Sequence, residues 1–376
     1  MNKKNSENKP KENNEENDEE EKFDMPIQTV SVPKMGPFED MELSIFKDQY
    51  PKILKTKMEK VFLHQNPIFK SNPVTKNSKN PEIYSVSCGK EKGLFATGYS
   101  NGEIHIFNKD KNVKIAQNSL ETILSLKINE KNNNILLSVS SFGEVVNTHV
   151  PTGKKLNEFK IENLVVKSMD YSSVDDKIAI GFGEGQINIY DDNTQLLDKT
   201  IKKGTSFASG HINQIHSVVF DKNNVNRLVS GGRDKRIIIW DLRNLECTAM
   251  VAEPYILGDA VDIKNHYILA GCYEPKQGVY LYDDRKFIDP LYKYRTDSHI
   301  YTSKFSKNTD STLFAVAGYN RHSIKIYDIN KRNDYLSGIE VNISPCYALD
   351  FSYDGSVLAY GCADGGLRIV ELSNDR

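Results

Sequence analysis

The chain has eight histidines, and His105, His149, His266, His299 and His322 are scattered with no metal-ligand spacing among them. His216 sits in a strand pattern, which reads as a packed or surface ring. Asp191-Asp192 and Asp283-Asp284 are paired carboxylates of the kind general acid–base chemistry uses. Both pairs follow apolar strand-like runs, where acidic turn residues are common. Gly181-Phe182-Gly183-Glu184-Gly185 and Gly231-Gly232 have the small residues of a phosphate loop, but neither leads into a helical pattern and G-x-x-x-x-G-K-[ST] is absent. The basic cluster Lys199, Lys202 and Lys203 reads as a solvated loop. No catalytic residue, metal ligand or cofactor site is expected from these patterns.

The five cysteines (Cys88, Cys247, Cys272, Cys346, Cys362) contain no C-x-x-C pair, and their odd count in a chain this long reads as reduced thiols. A net charge of −2 gives no pull toward nucleic acid or anionic lipid. No window approaches 18 consecutive apolar residues, and the N-terminus MNKKNSENKPKENNEENDEEEKFD lacks the apolar core of a secretory signal. An intracellular protein, cytoplasmic or nuclear, is expected.

Residues 1–24 are almost entirely Glu, Asn, Lys and Asp, too polar to offset their ordering entropy by burial, so a disordered acidic tail is expected. Residues 25–57 carry Pro26, Pro33, Pro37 and Pro51 and read as an extended or irregular arm. From residue 58 to 376, short Val, Ile, Leu and Tyr runs alternate with Gly, Asn, Asp and Lys clusters, the texture of strands and tight turns.

Those runs repeat. An apolar-x-apolar-bulky strand occurs seven times, ending at Phe107, Thr148, Tyr190, Trp240, Tyr282, Tyr327 and Val370, at spacings of 41, 42, 50, 42, 45 and 43 residues. Each is preceded by a run apolar on both faces, such as Lys177–Gly181 or Arg227–Gly231, as expected for strands sandwiched between neighbouring sheets. Units of 40–45 residues built from strands alone indicate a seven-bladed β-propeller. The last unit ends with too few residues for its outer strand, so Val61-Phe62-Leu63 is expected to supply it and close the ring.

The fourth unit reads Gly210-His211, then Ser230-Gly231-Gly232-Arg233-Asp234, then Trp240-Asp241, and it resembles a WD40 repeat of the G-beta type. The resemblance covers about residues 58–376, though the second unit departs most, with Phe142 in the Asp slot and Thr148 in the Trp slot. It implies a bonded structural tetrad of His211, Ser230, Asp234 and Trp240, in which the buried indole N–H finds an acceptor. It also implies a non-enzymatic scaffold that binds proteins or peptides in a multiprotein complex. The candidate partner-binding face comprises Tyr99, Ser100, Phe182, Arg233, Tyr273, Tyr319 and Asn320, chosen by counting back from the third strand of each unit. Aromatic and Arg anchors suit such a face.

Two rival functions stand beside the scaffold. Leu228–Arg243 is similar to the WDxR-type box of substrate receptors for cullin-4 ubiquitin ligases; it implies Arg243 as the contact for the ligase adaptor, although Val229 stands where that box prefers a small residue. Tyr282-Asp283-Asp284-Arg285 is a weaker echo. The other rival is a propeller enzyme with a site at the channel mouth, which would need acids, bases or ligands converging from several blades.

Overall fold

A computed structural model describes residues 61–66, 81–108, 113–205, 209–320, 324–332, 335–339 and 344–374. The acidic tail (1–24) and the arm (25–57) lie outside the described residues. Among the described residues there are seven four-stranded antiparallel sheets, and the only helical turn is the 3-10 segment Asp284–Lys286.

Blade 4 shows the plan. Its strands, a to d from the channel outward, are Ile215–Phe220, Arg227–Gly232, Arg236–Asp241 and Glu246–Ala252. Strand b is buried along almost its whole length, whereas strand d alternates with solvent. The gradient follows from composition: an apolar-on-both-faces run can be satisfied only between two other blades. Each fully buried Val, Leu or Ile contributes roughly 1.5–3 kcal/mol by leaving water. All seven repeated bulky-ended runs are c strands. Blades 5 and 6 end in d strands of three residues, Tyr292–Tyr294 and Ser337–Ile339.

Blade 7 takes strands a to c from Cys346–Phe351, Val357–Cys362 and Leu367–Asn374, and its outermost strand is Val61–Asn66. The pairing is antiparallel, with Val61 opposite Asn374 and Asn66 opposite Ile369. The innermost strand of blade 1, Ile83–Cys88, packs against that of blade 7, so the ring closes without an open inner edge.

Two features set how tightly the blades approach. First, Gly98, Gly181, Gly231, Gly271 and Gly361 stand at one register in strand b. A Cβ on Gly98 or Gly231 would lie 2.6 Å from the Ile123 or Val261 side chain of the next blade, and one on Gly361 would strike Ile83. Second, one position in strand a clasps the following blade. The Asp170 carboxylate accepts the Phe220 N–H (2.9 Å), Asp262 that of Phe305 (2.7 Å), and Asp350 that of Cys88 (2.8 Å). Lys127 occupies the same position in blade 2 and pairs with Asp170 at 3.0 Å. In blade 6 Lys304 takes this position and reaches back instead, to Asp259 in the loop before blade 5, at 2.8 Å. Charges buried in the channel are therefore paired or bonded to backbone, which keeps their desolvation tolerable.

Candidate functional site

The loops from strand d to the next strand a, and the turns between strands b and c, share one face, here called upper. In blade 4 they are held by a side-chain network. The His211 imidazole bonds Asp234 through Nδ1 (3.0 Å) and the Ser230 hydroxyl through Nε2 (2.7 Å), and Trp240 Nε1–H donates to the same hydroxyl (2.7 Å). Asp234 also accepts the Ile212 N–H at 2.9 Å. Burial pushes the Asp234 carboxyl up, but His211 and that N–H outweigh it and hold the carboxyl below the usual range. His211, Ser230 and Trp240 are buried. The network ties the d–a loop, the b–c turn and two inner strands together, and it leaves no group there facing solvent.

Blade 2 keeps a smaller version. Asn118, at the entry to the blade, donates through Nδ2 to Ser138 (3.0 Å) and to Thr148 (2.7 Å). Phe142, in the position of the turn aspartate, projects into solvent at 61% exposure. This network was not read from the sequence; the signal was a small polar residue at each of three slots.

The turn position of Arg233 is fixed by one hydrogen bond that recurs round the ring. Arg233 N–H donates to Gln214 O, Ser100 to Glu82 O, Ser141 to Thr122 O, Gly183 to Val165 O, Tyr273 to Tyr255 O and Ala363 to Pro345 O. Strand pairing puts Tyr319 in this slot in blade 6, because the b–c turn there is one residue longer. Asn320 lies one position beyond and bonds the Asp297 carbonyl through Nδ2 (3.0 Å). Ser100, Arg233, Tyr273, Tyr319 and Asn320 therefore reach the upper face. Tyr99 and Phe182 do not, which corrects the expectation of exposed aromatics there: both are 0% exposed. They lie one residue earlier, and the two-residue period of the strand turns them between blades. Tyr99 packs on His105 at 4.4 Å, and Phe182 joins the core cluster around Leu137 and Ile180.

The main aromatic feature comes from elsewhere. A bulge interrupts strand a after its first residue in blades 1, 2, 3, 4 and 7 and after its second in blade 6, re-aiming Tyr84, Leu124, Lys167, His216, Tyr347 and Tyr301. The tyrosines join those of blade 5 in one arc. Ring centroids run Tyr84–Tyr347 5.0 Å, Tyr347–Tyr301 5.1 Å, Tyr301–Tyr273 5.4 Å and Tyr273–Tyr255 6.0 Å. Arg233 Nε donates to the Tyr255 hydroxyl at 2.7 Å and caps one end. At the other, the Tyr84 hydroxyl donates to Glu82 at 3.0 Å. All five rings are half-buried. Burial and then Glu82 push the Tyr84 phenol up to about 12, and burial raises those of Tyr301 and Tyr347, so the rim stays protonated and able to donate. Beyond Arg233, on blades 2 to 4, Leu120 (88% exposed), Phe142, Val165 and Ile212 add apolar surface to the same loops.

Arg243 lies in the c–d turn of blade 4, on the opposite face, and is bidentate to Asp241 (Nε–Oδ1 3.0 Å, Nη2–Oδ2 2.6 Å). Arg285 repeats the geometry on Asp283. Those fixed pairs hold both aspartates down at about 2, so Asp283 and Asp191, the latter bonded to Lys177, serve as turn anchors. All five cysteines are free of disulfides. Among the described residues no three His, Cys, Asp or Glu side chains group as metal ligands. No described helix is long and apolar enough to cross a membrane.

A ring of four-stranded blades with an anchored loop face defines a β-propeller of the repeat type that presents loops around a channel. The sequence comparison names the repeat: the family described as WD domain, G-beta repeat matches residues 202–241, the stretch running from the loop before blade 4 through its third strand. An uncharacterized WD repeat-containing protein of Schizosaccharomyces pombe is 31% identical over 121 residues, which are 31% of this chain and 19% of that protein. The chain is a seven-bladed β-propeller whose fourth blade carries a repeat of the WD domain, G-beta type.

Proposed function

We propose that this chain is a non-catalytic platform that holds a partner protein on its upper face. The observation that carries the reading is the arc of five half-buried tyrosine rings from Tyr255 to Tyr84, with Arg233 at one end and exposed apolar side chains continuing past it. Tyrosine and arginine supply large contact area with few rotamers to freeze, and they dominate binding energy where they cluster centrally. Apolar surface gathered on one face also marks an interaction site. An extended segment with apolar side chains at alternate positions fits this arc.

The test is affinity capture of the native chain's partners beside a Tyr301→Ala/Tyr347→Ala variant. Loss of a specific partner with the circular dichroism of the fold retained supports the reading; unchanged recovery contradicts it. The ligase-receptor reading rests on a different face, where Arg243 is exposed (71% of its side chain) and Arg285 repeats it in the next blade. It expects an adaptor that is recovered with the native chain and lost from Arg243→Ala.

A further inference from the structure

Blade 7 carries two of the chain's five cysteines on one rung of its sheet. Cys346 opens strand a, Cys362 closes strand b, and the antiparallel register sets them directly opposite each other. On the next rung Ala363 N–H donates to Pro345 O at 2.9 Å, so the cysteine rung is a non-hydrogen-bonded one. Cα atoms on such rungs approach to about 4.5 Å, with the side chains closer than on the alternate rungs. That spacing falls within the range of roughly 4.4–6.8 Å that a disulfide spans.

Packing alone does not call for sulfur here. Ile83, Ile123, Val166, Ile215 and Ile300 stand where Cys346 does, each just ahead of the strand a bulge. Tyr99, Ser140, Phe182 and Gly232 stand where Cys362 does. Both cysteines are 0% exposed and belong to the core cluster between blades 6 and 7, with Ala317 and Ile324. A disulfide adds no atom to that close-packed slot. Cys88 and Cys247 have no such arrangement, since they face Phe95 and Trp240 across their rungs. In the reduced state the Cys346 thiol donates to Ala348 O at 3.6 Å.

We infer that Cys346 and Cys362 form a redox-modification site, closed to a cross-strand disulfide by exchange with a low-molecular-weight disulfide. One cysteine thiolate attacks that disulfide and releases its first thiol, leaving a mixed disulfide; the second cysteine then displaces the other thiol. One S–S bond breaks and one forms. The two cysteine protons end on the two released thiols, and the two electrons lost by the cysteines reduce the oxidant. Burial, and next the Cys362 thiol, push the Cys346 thiol well above its usual range. Exchange therefore waits on local opening of the rung, and the pair stays reduced until an oxidising pool persists. Once closed, the bond ties strand a to strand b immediately ahead of Tyr347, whose ring lies between Tyr84 and Tyr301 in the arc. The inference stands on strand register and is independent of the partner-face reading.

The experiment equilibrates the full folded chain in glutathione buffers from fully reduced to fully oxidised. Each sample is then denatured in N-ethylmaleimide, digested with trypsin and weighed by mass spectrometry. Residues 333–368 hold no Lys or Arg before Arg368, so they leave as one peptide containing these two cysteines and no other. In the oxidised buffers that peptide should be lighter by two hydrogens and carry no maleimide. Two maleimide labels in every buffer, or glutathione adducts in place of the bond, overturn the inference. Urea unfolding supplies the second readout. The oxidised chain should unfold at a higher midpoint than the reduced one, because the bond restricts the unfolded chain. A lower midpoint would mean that the native register rejects the bond, and it overturns the inference too. Cys362→Ala leaves Cys346 without a partner, in a slot where Ser140 and Gly232 show that small residues are accepted. Oxidation should not raise the midpoint of that variant; a rise equal to the native one traces the effect to another cysteine and overturns the assignment.

Discussion

Ser230→Ala removes one hydroxyl that serves two buried partners. The native Ser230 oxygen lies 2.7 Å from both Trp240 Nε1 and His211 Nε2, and the exposures of Ser230, His211 and Trp240 are 0%, 0% and 2%. Alanine leaves an indole N–H and an imidazole nitrogen with no acceptor or donor and no access to water. Each buried orphan costs about 1–3 kcal/mol, so the expected loss is ~3–4 kcal/mol, since the imidazole retains Asp234 and can shift slightly. Trp240 is the sole tryptophan, so fluorescence during urea unfolding reports on this blade alone. Ser138→Ala in blade 2 is the comparison, where Asn118 keeps Thr148 after the loss and about 1 kcal/mol is expected. A Ser230→Ala midpoint within error of the native one, or a larger loss from Ser138→Ala, would show that the blade 4 network does not hold the loop face and would refute the reasoning.

Three further outcomes are expected. Gly361→Ala drives a Cβ into Ile83 at the seam between blades 7 and 1, and calorimetry should show a loss of about 1–3 kcal/mol, with a smaller effect for Gly183→Ala, where the nearest atom is 3.4 Å away. Asp350→Ala strips the Cys88 N–H and the Lys307 amine (2.5 Å) of their shared carboxylate, so about 3 kcal/mol should be lost, measured by denaturant unfolding. Burial, and then Lys167 and Arg233, lower the His216 pKa to about 4, below its unfolded value near 6.5. Between these values the unfolded chain takes up a proton that the folded chain does not. Stability should therefore fall as pH drops from about 6.5 to 4, by up to ~3 kcal/mol, and His216→Asn should flatten that slope in thermal melts.

How much of this was legible in the sequence depends on the element. The c strands could be read because a bulky residue closes each one at a near-constant period, and the b strands because Gly or a small residue follows an apolar run. The blade 4 network was readable because His211, Ser230, Asp234 and Trp240 are four distinctive residue types at set spacings. Its counterpart Asn118–Ser138–Thr148 was not, because small polar residues occur in many turns. Within the candidate face, Tyr99, Phe182 and the slot of Asn320 were misplaced by counting back from strand c. That count assumes equal turn lengths, and the blade 6 turn is one residue longer, which exchanges Asn320 for Tyr319. It also ignores strand alternation, which buries Tyr99 and Phe182. The tyrosine arc depends on bulges after Ile83, Ile300 and Cys346. A bulge is a register fact between two strands and leaves no mark in either one, so Tyr84, Tyr301 and Tyr347 looked like ordinary strand residues.

The central claim is that the upper face, not the lower, is where a partner sits. Lysine cross-linking of the native chain with its captured partners, followed by mass spectrometry, tests it most directly. Lys167, Lys235 and Lys276 mark the upper loops and turns, while Lys131, Lys222 and Lys286 mark the opposite face. The account predicts partner cross-links concentrated on the first three and lost in Tyr301→Ala/Tyr347→Ala. Cross-links confined to Lys131, Lys222 and Lys286, and unaffected by that variant, would contradict it.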